Sequence, residues 1–156
     1  MPEPAIVVAE PAPDDWEAYF TLRWRVLRAP WDQPPGSERD ELEAQACHRL
    51  ARLGTGEIVG VGRVHRVGAS TAQARYVAVA EPWRGRGIGT RLLAALEEDA
   101  RALGATRIVA QVREGAVAFY AARGYVRTRR GDTLFGRIAH TWMEKTLGPP
   151  DSGKVL

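Results

Sequence analysis

A glycine-rich turn at residues 82–93, with the sequence PWRGRGIGTRLL, holds the residues best suited to chemistry. Gly85, Gly87 and Gly89 recur at every second position, and an apolar pattern of helical spacing follows directly. The first N–H groups of a helix lack carbonyl partners and lie at the positive end of the helix dipole, so they attract anions. Glycines let a phosphate approach that backbone, and Arg84 and Arg86 add positive charge. The turn therefore predicts a phosphate-binding site.

Glycine spacing separates the kinds of phosphate site that begin with such a turn. A Walker P-loop requires lysine directly before its Ser or Thr, whereas Gly89 precedes Thr90 here. A dinucleotide fingerprint requires a third glycine where this chain has Thr90, and the turn follows an antiparallel hairpin pattern in mid-chain. ATP hydrolysis and dinucleotide binding are therefore disfavoured. The pattern that remains is R-x-x-G-x-G, at Arg84, Gly87 and Gly89.

The composition is that of an ordinary globular domain of 156 residues, long enough for one hydrophobic core. The net charge of +3 permits an anionic small molecule, and the short RTRR cluster at 127–130 lacks interleaved aromatics, so nucleic acid is not expected. A single cysteine, Cys47, excludes an internal disulfide. The N-terminus lacks the basic region of a signal peptide and no run is long enough to span a membrane, so a cytoplasmic protein without membrane attachment is expected.

Periodicity predicts the elements that must position this turn. Apolar spacing of 3.6 indicates helices, and alternating or continuous apolar runs bounded by turn residues indicate strands. The predicted strands are 5–9, 46–53, 57–67, 72–81, 106–112, 125–131 and 136–147, and the predicted helices are 16–28, 88–103 and 115–124, with a short helix around 38–45. This order predicts an α/β or α+β domain with a mixed sheet and helices on its faces. Residues 148–156 are expected to form a flexible tail.

Two motifs resemble the GNAT superfamily of acetyl-CoA-dependent N-acetyltransferases. Residues 75–104 resemble its central strand, pyrophosphate loop and helix, and 112–125 resemble its second motif, A-x-x-F-Y-x-x-x-G-[FY]. The segment HTWMEKTL at 140–147 is similar to its final strand. The likeness spans about 57–147, and residues 22–28 and 47–64 also resemble a bacterial branch of the family.

The resemblance implies a mainly antiparallel sheet of six to seven strands with helices on both faces and splayed central strands, in a single domain over 1–147. It implies direct transfer of an acetyl group from acetyl-CoA, the cosubstrate, to a primary amine on a small molecule or peptide, without a metal. A non-catalytic acyl-CoA-binding module of the same fold is the alternative. Dimers are frequent in the family, so a homodimer is one expectation.

The resemblance also assigns roles to residues. The backbone of Val77 and Val79 would pair with the pantetheine arm, and the amide near Val79 would stabilise the oxyanion. Tyr120 would protonate the departing thiolate, while Phe119 is expected in the core. Arg113 stands where many members carry an asparagine that contacts the coenzyme. The expected coenzyme-binding residues are Val77, Val79, Arg84, Gly85, Arg86, Gly87, Ile88, Gly89, Thr90 and Arg113.

No motif identifies the general base or the acceptor. The base candidates are His65, His48, His140, Glu81 and an ordered water. The acceptor site would be built from the first helix and the 29–45 loop. The loop carries acidic residues that could attract a cationic amine or could simply be solvated: Glu38, Asp40, Glu41 and Glu43. Trp24 of the helix and Trp31 of the loop could line the pocket or only pack.

Overall fold

The computed structural model describes residues 5–148, and its elements follow the predicted order. The α-helices are α1 (Trp16–Leu27), α2 (Ile88–Ala102) and α3 (Val117–Ala121). The strands are β1 (Ile6–Ala9), β2 (Cys47–Leu53), β3 (Ile58–Arg66), β4 (Thr71–Val79), β5 (Arg107–Arg113), β6 (Val126–Leu134) and β7 (Ile138–Thr146). The tail prediction concerns 148–156, of which 149–156 lie outside the described residues.

The short helix predicted around 38–45 is wrong in its extent. Only a 3-10 turn at Glu43–Gln45 forms there. The carboxylate of Asp40 accepts the N–H of Leu42, and the carboxylate of Glu43 accepts the N–H of Asp40. These side chains replace the carbonyl partners that a helix would provide, so the segment folds as a loop.

The strands form one seven-stranded sheet in the order β1-β2-β3-β4-β5-β7-β6. The pairs β1–β2, β2–β3, β5–β7 and β6–β7 are antiparallel, whereas β4 and β5 are parallel. The parallel ladder joins 71–73 of β4 to 107–109 of β5. The predicted mixed, mainly antiparallel sheet is thereby confirmed.

Contacts divide the chain into two compact units. Among the described residues, the first unit holds 5–65 together with 76–96, and the second holds 66–75 together with 97–148. Strand β4 and helix α2 each contribute residues to both units.

Helices cover both faces of the sheet in the first unit. On one face, Tyr19 and Leu22 of α1 pack with Leu50, Val61 and Ala78 of the strands. The opposite face buries α2, where the cluster consists of Ala51, Leu53, Val59, Ile88 and Leu92. In β2 and β4 the residues that face α1 alternate with those that face α2, as the two-residue period of a strand requires. In β3, Val59 and Val61 are two positions apart but face different helices, because the register with β2 shifts between Ala51 and Arg52.

Two glycines of β3 let α2 approach the sheet closely. A Cβ on Gly60 would lie 2.8 Å from Leu92 Cδ1, and one on Gly62 would lie 2.9 Å from Leu96 Cδ1. Real Cβ atoms do not come this close to a neighbour, so the missing side chains set the distance between helix and strand. That packing fixes where the first turn of α2 lies in this unit.

The second unit is built on β5, β6, β7 and α3. Its buried residues include Ile108, Ala110 and Met143. The hydroxyl of Tyr125 donates to Glu97 Oε2 at 2.8 Å, and Lys145 Nζ donates to Glu97 Oε1 at 3.0 Å, so a buried carboxylate is satisfied on both oxygens. No helix in the described part of the chain is long and apolar enough to cross a membrane.

Candidate active site

The glycine-rich turn takes the backbone conformation that a side chain would resist. Gly85 and Gly87 have φ angles of 77° and 82°, in the left-handed region that favours glycine. A Cβ at either position would meet no atom within 4 Å. These glycines are therefore needed for the turn itself, and the space above their backbone is open.

The turn leaves a row of amides for an anion. Among the described residues, no backbone carbonyl accepts the N–H groups of Gly85, Gly87, Ile88 and Gly89, and the hydrogen bond from Arg91 N to Gly87 O begins the helical ladder of α2. Helix α2 runs for 15 residues behind these groups, so its dipole adds positive potential at this end. The arrangement is suited to a phosphate or pyrophosphate.

The arginines of the turn hold it in shape in this structure. Arg84 Nε donates to the carbonyl of Val79 at 3.1 Å, which ties the turn back to the end of β4. The guanidinium of Arg86 lies 4.6 Å from the ring centroid of Trp83. Both side chains are exposed, so they contribute charge near the amides while contacting protein groups.

Val77 and Val79 lie on β4 in the same unit as the turn. Val77 lies 3.6 Å from the position of a Cβ on Gly62, and Val79 packs in the cluster of Ile88 and Leu92. Their side chains therefore belong to the α2 side of the sheet. A ligand contact with these residues would be made by the backbone.

Tyr120 lies on α3 in the second unit and is 9% exposed. Burial raises the pKa of its phenol to about 12, against a smaller opposite effect of the Arg113 charge. The ring makes edge contacts with Phe119 and Tyr125 at 5.3 Å each. Within the part of the chain that the structure describes, no hydrogen bond contributes to the pKa of this hydroxyl.

Phe119 and Arg113, two other residues of the second motif, both lie at least partly open to solvent. Phe119 is half-buried rather than in the core, because α3 is only five residues long and its flank stays open to solvent. Arg123 stacks on the Phe119 ring, with its guanidinium carbon 4.0 Å from the ring centroid. Arg113 ends β5 with an exposed side chain whose charge acts on Tyr120.

Two of the three histidines are buried among hydrogen-bond partners. His48 Nδ1 lies 2.8 Å from the Tyr19 hydroxyl, and His48 Nε2 lies 2.8 Å from the Glu43 carbonyl oxygen. Burial is the main cause that lowers the pKa of His48. The Nδ1 atom of His65 lies 3.3 Å from an Arg63 nitrogen, which can only donate. Protein groups therefore contact both imidazoles.

His140 and Glu81 are the more accessible base candidates. His140 is half-buried on β7, opposite Arg113 of β5, and its Nδ1 lies 2.9 Å from the Ile138 carbonyl oxygen. Donation from Nδ1 to that carbonyl leaves the lone pair on Nε2. Glu81 is exposed at the end of β4. Arg113, Tyr120 and His140 therefore share the second unit, whereas Glu81 lies with the glycine-rich turn in the first.

Sequence analysis did not foresee a buried ionic cluster between α1 and β3. Arg23 and Arg63 are both fully buried. Arg23 Nη1 lies 2.8 Å from Glu43 Oε2, and Arg63 pairs with both oxygens of Asp40 at 2.6 and 3.0 Å. The acids of the 29–45 loop are thus largely neutralised by arginines. One feature of the sequence could have indicated this cluster: Arg23 occupies a position of the helical apolar pattern of α1, where a residue faces the core.

A shallow groove of about 200 Å³ lies between α1 and the loop that follows it. Phe20 and Trp24 form its aromatic side, and Glu38 and Arg39 lie opposite. Burial alone would raise the pKa of Glu38, but hydrogen bonds from backbone N–H groups and from Arg39 outweigh it and lower the pKa. The groove therefore combines aromatic surface with an ionised carboxylate. Trp31 is not among its lining residues.

Comparison with known proteins identifies the family to which this chain belongs. A model of the acetyltransferase (GNAT) family matches residues 16–125. The chain therefore belongs to the GNAT family of acetyltransferases and is an N-acetyltransferase, which confirms the predicted family, fold and activity.

Solved structures share the fold over nearly the whole chain. A candidate N-acetyltransferase from Lactobacillus plantarum is 23% identical, with a TM-score of 0.80 over 92% of this chain and 99% of the other. An aminoglycoside 6'-N-acetyltransferase in complex with coenzyme A is 18% identical, with a TM-score of 0.76 over 92% and 98%. The ribosomal-protein-S18-alanine N-acetyltransferase of Escherichia coli is 19% identical, with a TM-score of 0.70 over 97% and 99%.

Proposed function

We propose that this chain transfers an acetyl group from acetyl-CoA to a primary amine, with the pyrophosphate of the coenzyme held by the amides of the glycine-rich turn. The observation that carries the proposal is the row of N–H groups at Gly85, Gly87, Ile88 and Gly89, which have no backbone carbonyl partner among the described residues and lie at the start of α2. Two adjacent phosphates require several donors and positive potential, and this turn provides both. Thr90 and the charges of Arg84 and Arg86 complete this binding surface.

The acyl arm binds along β4. The backbone of Val77 and Val79 pairs with the pantetheine, and the amide near Val79 stabilises the oxygen that becomes negative in the transition state. The family likeness and the packing of both half-buried side chains on the α2 side support a role for the backbone rather than for the side chains. Arg113 contacts the coenzyme through its charge.

Transfer proceeds by direct attack. The amine nitrogen bonds to the acetyl carbon, the carbon–sulfur bond breaks, and the electron pair leaves on sulfur. The Tyr120 hydroxyl, protonated because its pKa is raised to about 12, donates to that sulfur. The thiol is more acidic than the phenol, so Tyr120 assists mainly as a hydrogen-bond donor. The proton of the attacking amine passes to water or to the Nε2 atom of His140.

The acceptor enters the groove between α1 and the 34–39 loop. Trp24 would contact an apolar or flat part of the acceptor, whereas the Arg39 guanidinium covers the Phe20 ring at 3.9 Å and pairs with the buried Glu38 carboxylate. A volume of about 200 Å³ suits a small amine or the end of a peptide. The acceptor is therefore a compact primary amine rather than a folded surface.

Release of free thiol from acetyl-CoA in the presence of an amine panel tests this function. The panel contains aromatic amines, polyamines, aminoglycosides and peptides with free N-termini. Thiol release with compact amines is the expected result. Binding of acetyl-CoA without thiol release for any amine would instead indicate a non-catalytic binding module.

A matched pair of glycine variants tests the pyrophosphate site. Gly87→Ala and Gly104→Ala both place a side chain at a positive φ, 82° and 89°, in open space. Each should lose about 1 kcal/mol of unfolding free energy. Calorimetry should show about tenfold weaker coenzyme A binding only for Gly87→Ala. Equal affinities in the two variants would contradict the assignment.

A further inference from the structure

Tyr76 occupies an unusual backbone conformation in the middle of the chain's central strand. Its φ angle is 60°, in the left-handed region that a bulky side chain resists, although it lies within β4. The residue is 8% exposed. Such a conformation persists only where surrounding contacts hold it, and it is concentrated at functional positions.

Buried guanidinium groups hold the ring of Tyr76. The Cζ atom of Arg23 lies 4.2 Å from the ring centroid, and that of Arg63 lies 5.0 Å from it. Both arginines are fully buried, where the attraction between a cation and an aromatic ring is strongest. The ring is therefore clamped by two groups that cannot leave for solvent.

The clamp is anchored to the loop that follows α1. Asp40 pairs with Arg63, and Glu43 Oε2 lies 2.8 Å from Arg23 and 3.1 Å from Arg63. Arg23 also donates to the carbonyl of Glu38 at 3.1 Å. The segment 38–43 thus holds the arginines, and the arginines hold the ring of Tyr76.

We propose that Tyr76 is a positioning residue for the acyl donor, because its clamped ring fixes the left-handed backbone that orients the following residues of β4. Val77 and Val79 come next along the strand, and their backbone groups are the proposed partners of the pantetheine arm. Ordinary burial of an aromatic ring on a strand requires no positive φ. This inference rests on the proposed function, since it concerns how the donor is held.

Three substitutions of Tyr76 distinguish the effects of the aromatic ring, of the positive φ and of apolar burial on coenzyme A binding. Tyr76→Phe keeps the ring and should bind coenzyme A as the wild type does. Tyr76→Gly removes the ring but adopts a positive φ without cost, so binding should weaken by about threefold. Tyr76→Leu keeps an apolar side chain but lacks the clamp that holds it at positive φ, so binding should weaken by about tenfold.

Calorimetry with coenzyme A and the melting temperature of each variant give the comparison. Leu50→Val, a truncation of a fully buried core residue of β2, is the control for lost stability, and it should keep wild-type affinity. A purely structural Tyr76 would make affinity follow the melting temperature, with Leu50→Val weakened as well. Equal binding by the wild type and Tyr76→Leu would overturn the inference.

If Tyr76→Leu does not fold, Asp40→Asn tests the same inference, because Asp40 pairs with Arg63, one of the two arginines that contact the Tyr76 ring. It loosens Arg63 without touching β4, and coenzyme A binding should weaken by about threefold. Unchanged affinity in a folded Asp40→Asn protein would overturn the inference. If the wild-type chain does not bind coenzyme A, both the proposed function and this inference are overturned. If the wild type binds coenzyme A and the variants bind it equally well, only this inference is overturned.

Discussion

Burial keeps two side chains neutral by shifting their pKa values in opposite directions. Tyr120 keeps its proton because a buried phenolate would be poorly solvated, and burial raises its pKa to about 12. His48 stays neutral for the same reason, since burial lowers the pKa of a base. The phenol is thereby kept as a hydrogen-bond donor, as its proposed role requires, whereas the imidazole is kept as a neutral link between Tyr19 and Glu43.

Replacement of Tyr120 by phenylalanine should lower kcat by about tenfold and leave the KM for acetyl-CoA nearly unchanged. The loss is modest because the thiol is more acidic than the phenol and leaves without full protonation. Steady-state thiol release measures both constants. Because Tyr120 stays protonated below about pH 11, the wild type and the variant should show the same rise of kcat/KM with pH. A wild-type-specific alkaline decline near pH 9 would contradict this role.

His48 should contribute an acid-sensitive part of the stability. Its pKa is lowered in the fold, so the folded chain binds fewer protons than the unfolded chain once the pH falls below about 6.5, and unfolding free energy is lost in that range. His48→Gln should be about 1–2 kcal/mol less stable than the wild type at pH 7.5. Urea denaturation should show the difference shrinking at pH 5.5. A constant difference at the two pH values would contradict the assignment.

At the scale of elements, close packing of α2 on β3 supports the position of the glycine-rich turn. Gly60 and Gly62 face the side chains of Ile88, Leu92 and Leu96 at distances that leave no room for a Cβ. The turn at the start of α2 is thus supported by the helix that follows it. Displacement of this helix would move the amides that we propose as the pyrophosphate site.

Alanine at these glycines should destabilise the fold unequally. At Gly60 a Cβ would lie 2.8, 3.0 and 3.2 Å from three neighbouring atoms, whereas at Gly62 only one contact, at 2.9 Å, is too short. Gly60→Ala should therefore cost about 2–3 kcal/mol and Gly62→Ala about 1 kcal/mol by urea denaturation. The control is Gly68→Ala, since a Cβ there meets nothing within 4 Å, and its change should stay within about 0.5 kcal/mol. The reverse order of the first two variants would contradict this explanation.

For the molecule as a whole, binding of the donor and stability are linked. A ligand that binds the folded state alone stabilises it by about 2.7 kcal/mol at 100 times its Kd. Coenzyme A should therefore raise the Tm by several degrees in a concentration-dependent way. Thermal denaturation of the full chain with increasing coenzyme A measures this. Gly104→Ala should show the same increase as the wild type, and Gly87→Ala a smaller one.

The sequence determined the order of elements, the family and the glycine-rich turn. These features depend on local patterns: apolar periodicity predicted the strands and helices, and Gly85 and Gly87 stand where the backbone has a positive φ that favours glycine. The predicted coenzyme-binding and catalytic roles remain predictions for the experiments above.

Only the tertiary structure decided what the charged residues of α1 and its loop do. Sequence analysis could not tell a solvated acidic loop from a cation site, because the partners of Asp40 and Glu43 lie on α1 and β3, 20 or more positions away. The same holds for Tyr76, whose positive φ is stable only because Arg23 and Arg63 meet over its ring. Pairing between distant segments decides both, since a buried charge is tolerated only where the fold provides its partner.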